Sequence, residues 1–265
     1  MSSINAGEGE SSAPARAQLA FERAVSSGGL IAGAALLVAI VLAWRWLAVS
    51  RMGAMDGPAM AAMAGAGSSA AYLAQAFAMW AVMMVAMMLP SAAPMILLHA
   101  RIDRAGSPAR RLGHSLAFAL AYLFVWTAFA AAAALLQALL VGLGLVSAIG
   151  LALGDRAIAA ALLAGAALYQ LSPVKAACLG RCRSPIHFVL RYWSPSRIVH
   201  GAFCVGCCWA LMLLLFVAGV MKLAWIALLA AIVLAEKTAP PAWRISRAIA
   251  GLLLAAALAL LAGAA

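Results

Sequence analysis

A chain of 265 residues, 68% of them hydrophobic and 9% charged, with a mean hydropathy of +1.07, carries more apolar surface than a soluble domain can bury. Its expected solvent is the bilayer. The formal charge of +11 would point to nucleic acid in a soluble protein, but most Lys and Arg lie between apolar blocks, where they set topology. No nucleic-acid partner is expected.

Residues 1–29, rich in Ser, Ala, Gly and Glu and without apolar periodicity, read as a disordered cytosolic tail. They do not read as a cleaved signal, because the apolar stretch starts late and lacks a well-placed small-residue cleavage site. Apolar blocks of about 15 to 28 residues then match helices crossing a hydrocarbon core about 30 Å thick. They predict an all-α polytopic bundle forming one transmembrane domain over residues 30–264, with spans at 30–48, 71–98, 115–141, 156–172, 202–219, 221–236 and 246–264. As a single helix, the run from Gly201 to Ala235 would measure about 52 Å at 1.5 Å per residue, too long for one crossing. A break at Gly219–Lys222 makes it a hairpin of two short spans and gives seven in all; without it there are six. With seven, the tail and segments 99–114, 173–201 and 237–247 share a side and hold 14 Lys and Arg, leaving Arg45, Arg51, Arg156 and Lys222 opposite. The positive-inside rule then places the N-terminus and these segments on the cytosolic side of the membrane. Ala- and Gly-rich spans, with pairs such as Ala161 and Gly165, read as close-packing scaffold. Pro90 and Pro94 should kink or unwind the second span.

The fifth span opens Cys204-Val205-Gly206-Cys207-Cys208-Trp209, and cysteines at i, i+3 and i+4 project from one helical face within about one turn. Upstream, Cys178 and Cys182 are spaced i, i+4 in the cytosolic segment 173–201. All five cysteines of the chain thus lie at one membrane face. Thiols in a reducing compartment point to metal or redox chemistry more than to a disulfide framework. The bland alternative is that cysteine serves as a small apolar residue. Lys175, Arg181 and Arg183 are near enough in sequence to favour the ligating thiolate, or to gate it, though they also serve the positive-inside rule. Glu236, an acid at a membrane boundary, is a further second-layer or gating candidate.

Methionine supplies a second signal. Met52, Met55, Met60 and Met63 form two Met-x2-Met pairs in a Gly-rich loop on the outer side, where thioethers suit capture of Cu(I). Met83, Met84, Met87 and Met88, with Met79, run along one side of the second span, and Met212 continues the face of Cys204 and Cys208. Thioethers outside, thioethers through the membrane and thiols inside suit a soft monovalent ion; flexible core packing is the alternative for the stripe. Zn(II) would want four ligands, with His187 and His200 as candidates; His99 and His114 bracket another loop. No Gly-x4-Gly-Lys-Ser/Thr loop or phosphorylation domain is present, so transport would be passive, ion-coupled or a handover to a partner.

The blocks Met83-Met84-Val85-Ala86-Met87-Met88-Leu89-Pro90, Tyr169-Gln170-Leu171-Ser172-Pro173-Val174-Lys175, Cys178-Leu179-Gly180-Arg181-Cys182-Arg183-Ser184-Pro185, Cys204-Val205-Gly206-Cys207-Cys208-Trp209-Ala210-Leu211-Met212 and Glu236-Lys237 resemble a bacterial family of unknown function, described as predicted metal-binding integral membrane proteins, some members of which carry the label copper chaperone. The resemblance covers residues 30–240. It implies that Cys178, Cys182, Cys207 and Cys208 are the positions of interest, with Met87, Met88 and Glu236 beside them. Lys222 stands where the family leads one to expect Asn.

With the resemblance, the first expectation is a multi-pass protein of a bacterial cytoplasmic (inner) membrane that binds Cu(I), with Zn(II) as the other metal, and moves it or hands it to a metallochaperone or metalloenzyme-assembly partner. The alternatives are a membrane thiol oxidoreductase cycling its cysteines, and a non-catalytic assembly or scaffold subunit.

Overall fold

The computed structural model describes residues 27–53, 70–102, 108–147, 151–183, 196–239 and 242–263. Their regular elements are all helices: α1 (Ser27–Gly53), α2 (Ala70–Ile102), α3 (Pro108–Gly142), α4 (Arg156–Gln170), α5 (Pro173–Arg183), α6 (Ser196–Leu213), α7 (Leu215–Ala218), α8 (Leu223–Thr238) and α9 (Ala242–Leu261). The all-α bundle is as expected. The tail before residue 27 and Met55, Met60 and Met63 lie outside the described residues, as does the side chain of Met52 at the end of α1.

Among the described residues five helices are long and apolar enough to cross a membrane, and a sixth span is reached if α4 and α5, bent by 62° at a short break, count as one. The chain is a multi-pass membrane protein. α8, expected as the sixth of seven spans, has 16 residues, about 24 Å of helix, which is shorter than the hydrocarbon core. Large apolar side chains point outward along the bundle, among them Leu120, Phe124, Leu135 and Leu139 on α3 and Leu252 and Leu258 on α9. Such a surface suits lipid and not water.

Contacts between helices fix their order. Gly33 meets Leu97 and Trp44 reaches Ala86, so α1 and α2 run antiparallel. The break expected at Gly219 is present: Gly219 has φ 102°, a left-handed conformation open to glycine, and closes a turn into α8. Trp225 Nε1 donates to the Leu214 carbonyl at one end of this hairpin, and Lys237 meets Cys204 at the other. The loop after α3 is bound beneath the hairpin turn, with Leu153 N donating to Phe216 O and Val220 N to Leu151 O. The start of α1, the end of α2, α5, the start of α6, the end of α8 and the start of α9 therefore share one end of the bundle, the grouping that the charge count required.

α2 is the centre of the bundle, packed on α1, α3 and α8. From Met79 to Ala93 it has no exposed side chain, which matches a stretch that is apolar on nearly every face. It continues through Pro90 and Pro94. Pro90 has no N–H for the Ala86 carbonyl, and Trp44 Nε1 on α1 donates to that carbonyl instead, at 3.1 Å. Inside the bundle Trp80 Nε1 donates to Gln137 Oε1, and Gln137 Nε2 to the Tyr72 hydroxyl, which satisfies an amide in the apolar core.

The small-residue rule holds at other positions than the expected pair. Ala161 and Gly165 face outward, and nothing lies within 4 Å of a Cβ built on Gly165. The close approach is at Gly201, where a Cβ would stand 2.9 Å from both Cβ and Cγ2 of Val125 on α3. Gly201→Ala should force α3 and α6 apart and cost about 1–3 kcal/mol, lowering the thermal midpoint in detergent. Gly165→Ala should be neutral or slightly stabilising through helix propensity; equal midpoints for the two variants would contradict this packing.

Candidate metal centre

The i, i+3, i+4 spacing does what helical geometry dictates. Cys204, Cys207 and Cys208 lie on the inward face of α6, each at most 2% exposed. The Cys207 and Cys208 thiols donate back to the Cys204 carbonyl at 3.1 and 2.9 Å. α5, turned by the bend after α4, lies against the start of α6 and places the Cys182 thiol within hydrogen-bonding reach of those of Cys204 and Cys207. Cys208 in turn meets Cys204 and Cys207. Four thiols from two helices thus form one buried cluster, and all are free. Among the described residues no three His, Cys, Asp or Glu side chains stand as a ready-made metal site; two of these thiols are turned onto a carbonyl and would have to rotate to meet an ion.

Cys178 is placed apart from the other four. Its Sγ lies 3.0 Å from where a Cβ on Gly206 would be, so it fills the close approach of α5 to α6. Beside it the Tyr169 hydroxyl donates to the Gly206 carbonyl, and the Tyr169 ring meets Trp209 edge-on at 5.1 Å.

Cys204 sits in a closed ring of polar contacts. Lys237 Nζ on α8 donates to Cys204 Sγ at 2.8 Å and to Ser91 Oγ on α2 at 2.9 Å. Ser91 Oγ donates to the Met88 carbonyl at 2.9 Å, the Tyr122 hydroxyl on α3 donates to the same carbonyl at 3.3 Å, and Tyr122 Oη lies 3.0 Å from Cys204 Sγ. Four helices contribute to this ring. Ser91, Tyr122 and the contact made by Lys237 are absent from the sequence-derived set; the one sequence signal for any of them is Lys237 within the Glu236-Lys237 block.

The positive charge against the thiols is that of Lys237, and the cations expected there are engaged elsewhere. Lys175 is paired with Glu236, its Nζ 2.7 Å from both carboxylate oxygens, with side chains 1% and 2% exposed. Lys175 also donates to Gln170 Oε1, and Ser246 Oγ on α9 donates to Glu236 Oε1. Arg183 Nη1 donates to the carbonyls of Glu236 and Ala239, closing the C-terminus of α8 as a cation there should. The Arg181 guanidinium lies 4.9 Å over the Phe203 ring. Glu236 is thus the centre of a packed ion pair at the α5–α8–α9 junction.

Met79, Met83, Met84, Met87, Met88 and Met212 are all buried, each at most 3% exposed. Met88 on α2 lies beside Cys204 through Tyr122, and from there the α2 methionines run toward the opposite end of the bundle, as does Met212, two turns beyond Cys204 on α6. His200, one turn before Cys204, is buried against Phe118 and Tyr122, with ring centroids at 5.4 and 6.0 Å. The side chains of His99 and His187 lie outside the described residues.

A family model described as PpoB2, copper chaperone, matches residues 77–260, more than half of the chain and nearly all of α2 through α9. The chain belongs to this family. The match covers every thiol, the methionines of α2 and the Glu236-Lys237 pair, and it supports a copper-related function. Among curated proteins and among solved structures nothing matches.

The Lys175–Glu236 pair yields a test of its structural role. Glu236→Leu alone strands a buried ammonium and should cost about 3–5 kcal/mol, whereas Lys175→Met with Glu236→Leu should recover most of that loss. Thermal unfolding of the three proteins in one detergent decides it: a double variant no more stable than the single would show that Glu236 does more than neutralise Lys175.

Proposed function

We propose that this protein binds Cu(I) at the thiols of Cys182, Cys204, Cys207 and Cys208 and transfers it to or across a bacterial cytoplasmic membrane, with the N-terminus and the thiol pocket on the cytosolic side. The observation that carries the reading is the cluster itself: thiols from α5 and α6 in mutual contact, with the Lys237 ammonium 2.8 Å from one of them. Thiolates select soft ions such as Cu(I), and Lys237 supplies a positive charge that offsets the anionic charge of a thiolate complex. Lys175, Arg181, Arg183, Lys237, Arg244 and Arg247, at the thiol end among the described residues, support the orientation.

The donor set favours Cu(I) over Zn(II). Zn(II) takes four ligands in a tetrahedron. Here three of the four thiols come from one turn of one helix, where Cys207 and Cys208 diverge by about 100°, and the fourth comes from α5. Two thiols facing each other across α5 and α6 suit an ion of low coordination number. The buried methionines of α2 and Met212 would pass the ion between this pocket and the opposite membrane face, where Met52, Met55, Met60 and Met63 would take part. A metallochaperone or a metalloenzyme under assembly would be the partner on one side.

Thiol–disulfide chemistry is the second reading, since Cys182 meets Cys204 and Cys207 across two helices. It leaves the thioethers without a role. Alkylation that changes with ambient redox state, together with a partner trapped as a mixed disulfide, would favour it.

Protein purified in detergent under anaerobic, reducing conditions, loaded with Cu(I) or Zn(II) and assayed for metal by mass spectrometry, tests the copper reading. Wild type should retain near-stoichiometric copper in preference to zinc. The variant with Ser at Cys182, Cys204, Cys207 and Cys208 should lose it, and Cys178→Ser should keep it. Lys237→Gln removes a charge-assisted contact and should weaken copper affinity about ten- to a hundred-fold, with Lys237→Arg closer to wild type. Copper retained by the four-Ser variant, or absent from folded wild type, would sink the proposal.

A further inference from the structure

The bend between α4 and α5 opens a second chamber on the far side of α5 from the thiols. It is a cavity of about 660 Å³ whose polar lining is Gln170, Ser172, Lys175, Arg183, Ser246 and Arg247. That is within the size range of sites for small molecules. Nothing in the copper reading uses it.

Its charge is unbalanced. The carboxylates among the described residues are Asp155 and Glu236. Asp155 caps the first turn of α4, accepting from the N–H groups of Ala157 and Ile158 at the opposite end of the helix. Glu236 is engaged by Lys175 and Ser246. Three cations against one carboxylate leave two positive charges at the cavity. The guanidiniums that carry them are held in place without being neutralised. Arg183 rests on two backbone carbonyls, and Arg247 lies 4.8 Å over the ring of Trp243. The first turns of α5 and α9 border the same space and add their partial positive ends.

A second observation also points to a ligand. Gln170 is 5% exposed and lines the cavity; its Oε1 accepts from Lys175, and its Nε2, shielded from solvent, has no hydrogen-bond partner. A buried donor without a partner is costly and calls for an acceptor. An anion with several oxygens would bridge the two guanidiniums, as phosphate-recognising arginines do, and a turn of the Gln170 amide would bring Nε2 to it as well.

We propose that this cavity binds a phosphate group, carried either by an anionic phospholipid or by a free phosphate. Two features favour the lipid as its source. Trp243, 55% exposed at the start of α9, sits where aromatic side chains mark the headgroup region, and basic pockets between spanning helices on the positively charged side suit anionic headgroups.

Thermal unfolding of the full chain in detergent tests this, and it does not depend on copper. The protein is titrated with phosphatidylglycerol, with phosphatidylcholine, and with inorganic phosphate against potassium chloride of equal ionic strength. A midpoint raised by several degrees with phosphatidylglycerol alone assigns a lipid. A rise with inorganic phosphate alone assigns a free anion, and a rise with both assigns the shared group. Phosphatidylcholine and chloride should do nothing. Arg247→Gln, on an exposed side chain, should shift the half-effect concentration at least about tenfold, Arg247→Glu should abolish the response, and Arg247→Lys should retain part of it. Wild type insensitive to both anions, or Arg247→Glu responding as wild type does, would overturn the assignment; native mass spectrometry for a co-purified phospholipid supplies an independent readout.

Discussion

The ammonium of Lys237 lies inside a bundle that has almost no acid to give it. Of seven Asp and Glu in the chain, the two in the described residues are Asp155, which caps a helix at the far end, and Glu236, which is engaged by Lys175. Lys237 is left to a thiol and a hydroxyl, and those contacts draw α2, α3, α6 and α8 into a single ring around Cys204. An uncompensated cation in a bundle of this kind is expensive, so its position constrains everything near it. The close α3–α6 crossing at Gly201 and the α6–α8 hairpin both bring helices to the places that this ring requires.

Glu236 and Lys237 are neighbours in sequence, and consecutive residues on a helix point about 100° apart. That rotation sends two opposite charges into two different chambers. Glu236 faces α5 and α9, where it holds Lys175 and Ser246 at the wall of the basic cavity. Lys237 faces the thiols. α5 lies between the chambers, with Lys175 contacting one and Cys182 the other, so the pair Lys175–Glu236 also sets how α5 is laid over α6. A change to that pair would therefore reach the thiols through the placement of Cys182, without either charge touching sulfur.

Much of this was legible in the sequence, and the part that was not has one physical cause. The helical spacing of Cys204, Cys207 and Cys208, the glycine at the hairpin break and the sidedness of Lys and Arg are local or additive properties, and each is readable from spacing or counting. Contacts across the bundle are neither. Tyr122 and Cys204 are 82 residues apart, and Ser91 and Lys237 are 146 apart; no periodicity announces such pairs. The same gap explains why Cys178 and Cys182 looked equivalent. At i and i+4 they share a face of α5, but the crossing over Gly206 puts one thiol in the cluster and the other in the packing seam. Small residues misled in the same way, since Gly165 is spaced like a packing motif yet faces outward.

The methionines connect the fold to the proposed chemistry. α2 has no exposed side chain from Met79 to Ala93, so its residues there must be apolar whatever the protein does, and methionine meets that requirement with a polarisable sulfur. Leucine would pack as well. Burial is compatible with the five thioethers between residues 79 and 88 of this helix, and under the proposed copper function the same residues would offer a soft ion a ligand at successive turns without placing a charge in the bilayer. In that proposal the thiols at one end would be the tighter station, anionic when they ligate and offset by Lys237. Thioethers bind more weakly than thiolates, so the proposed path would run from weaker to tighter ligands along one bundle, an order that suits transfer better than storage.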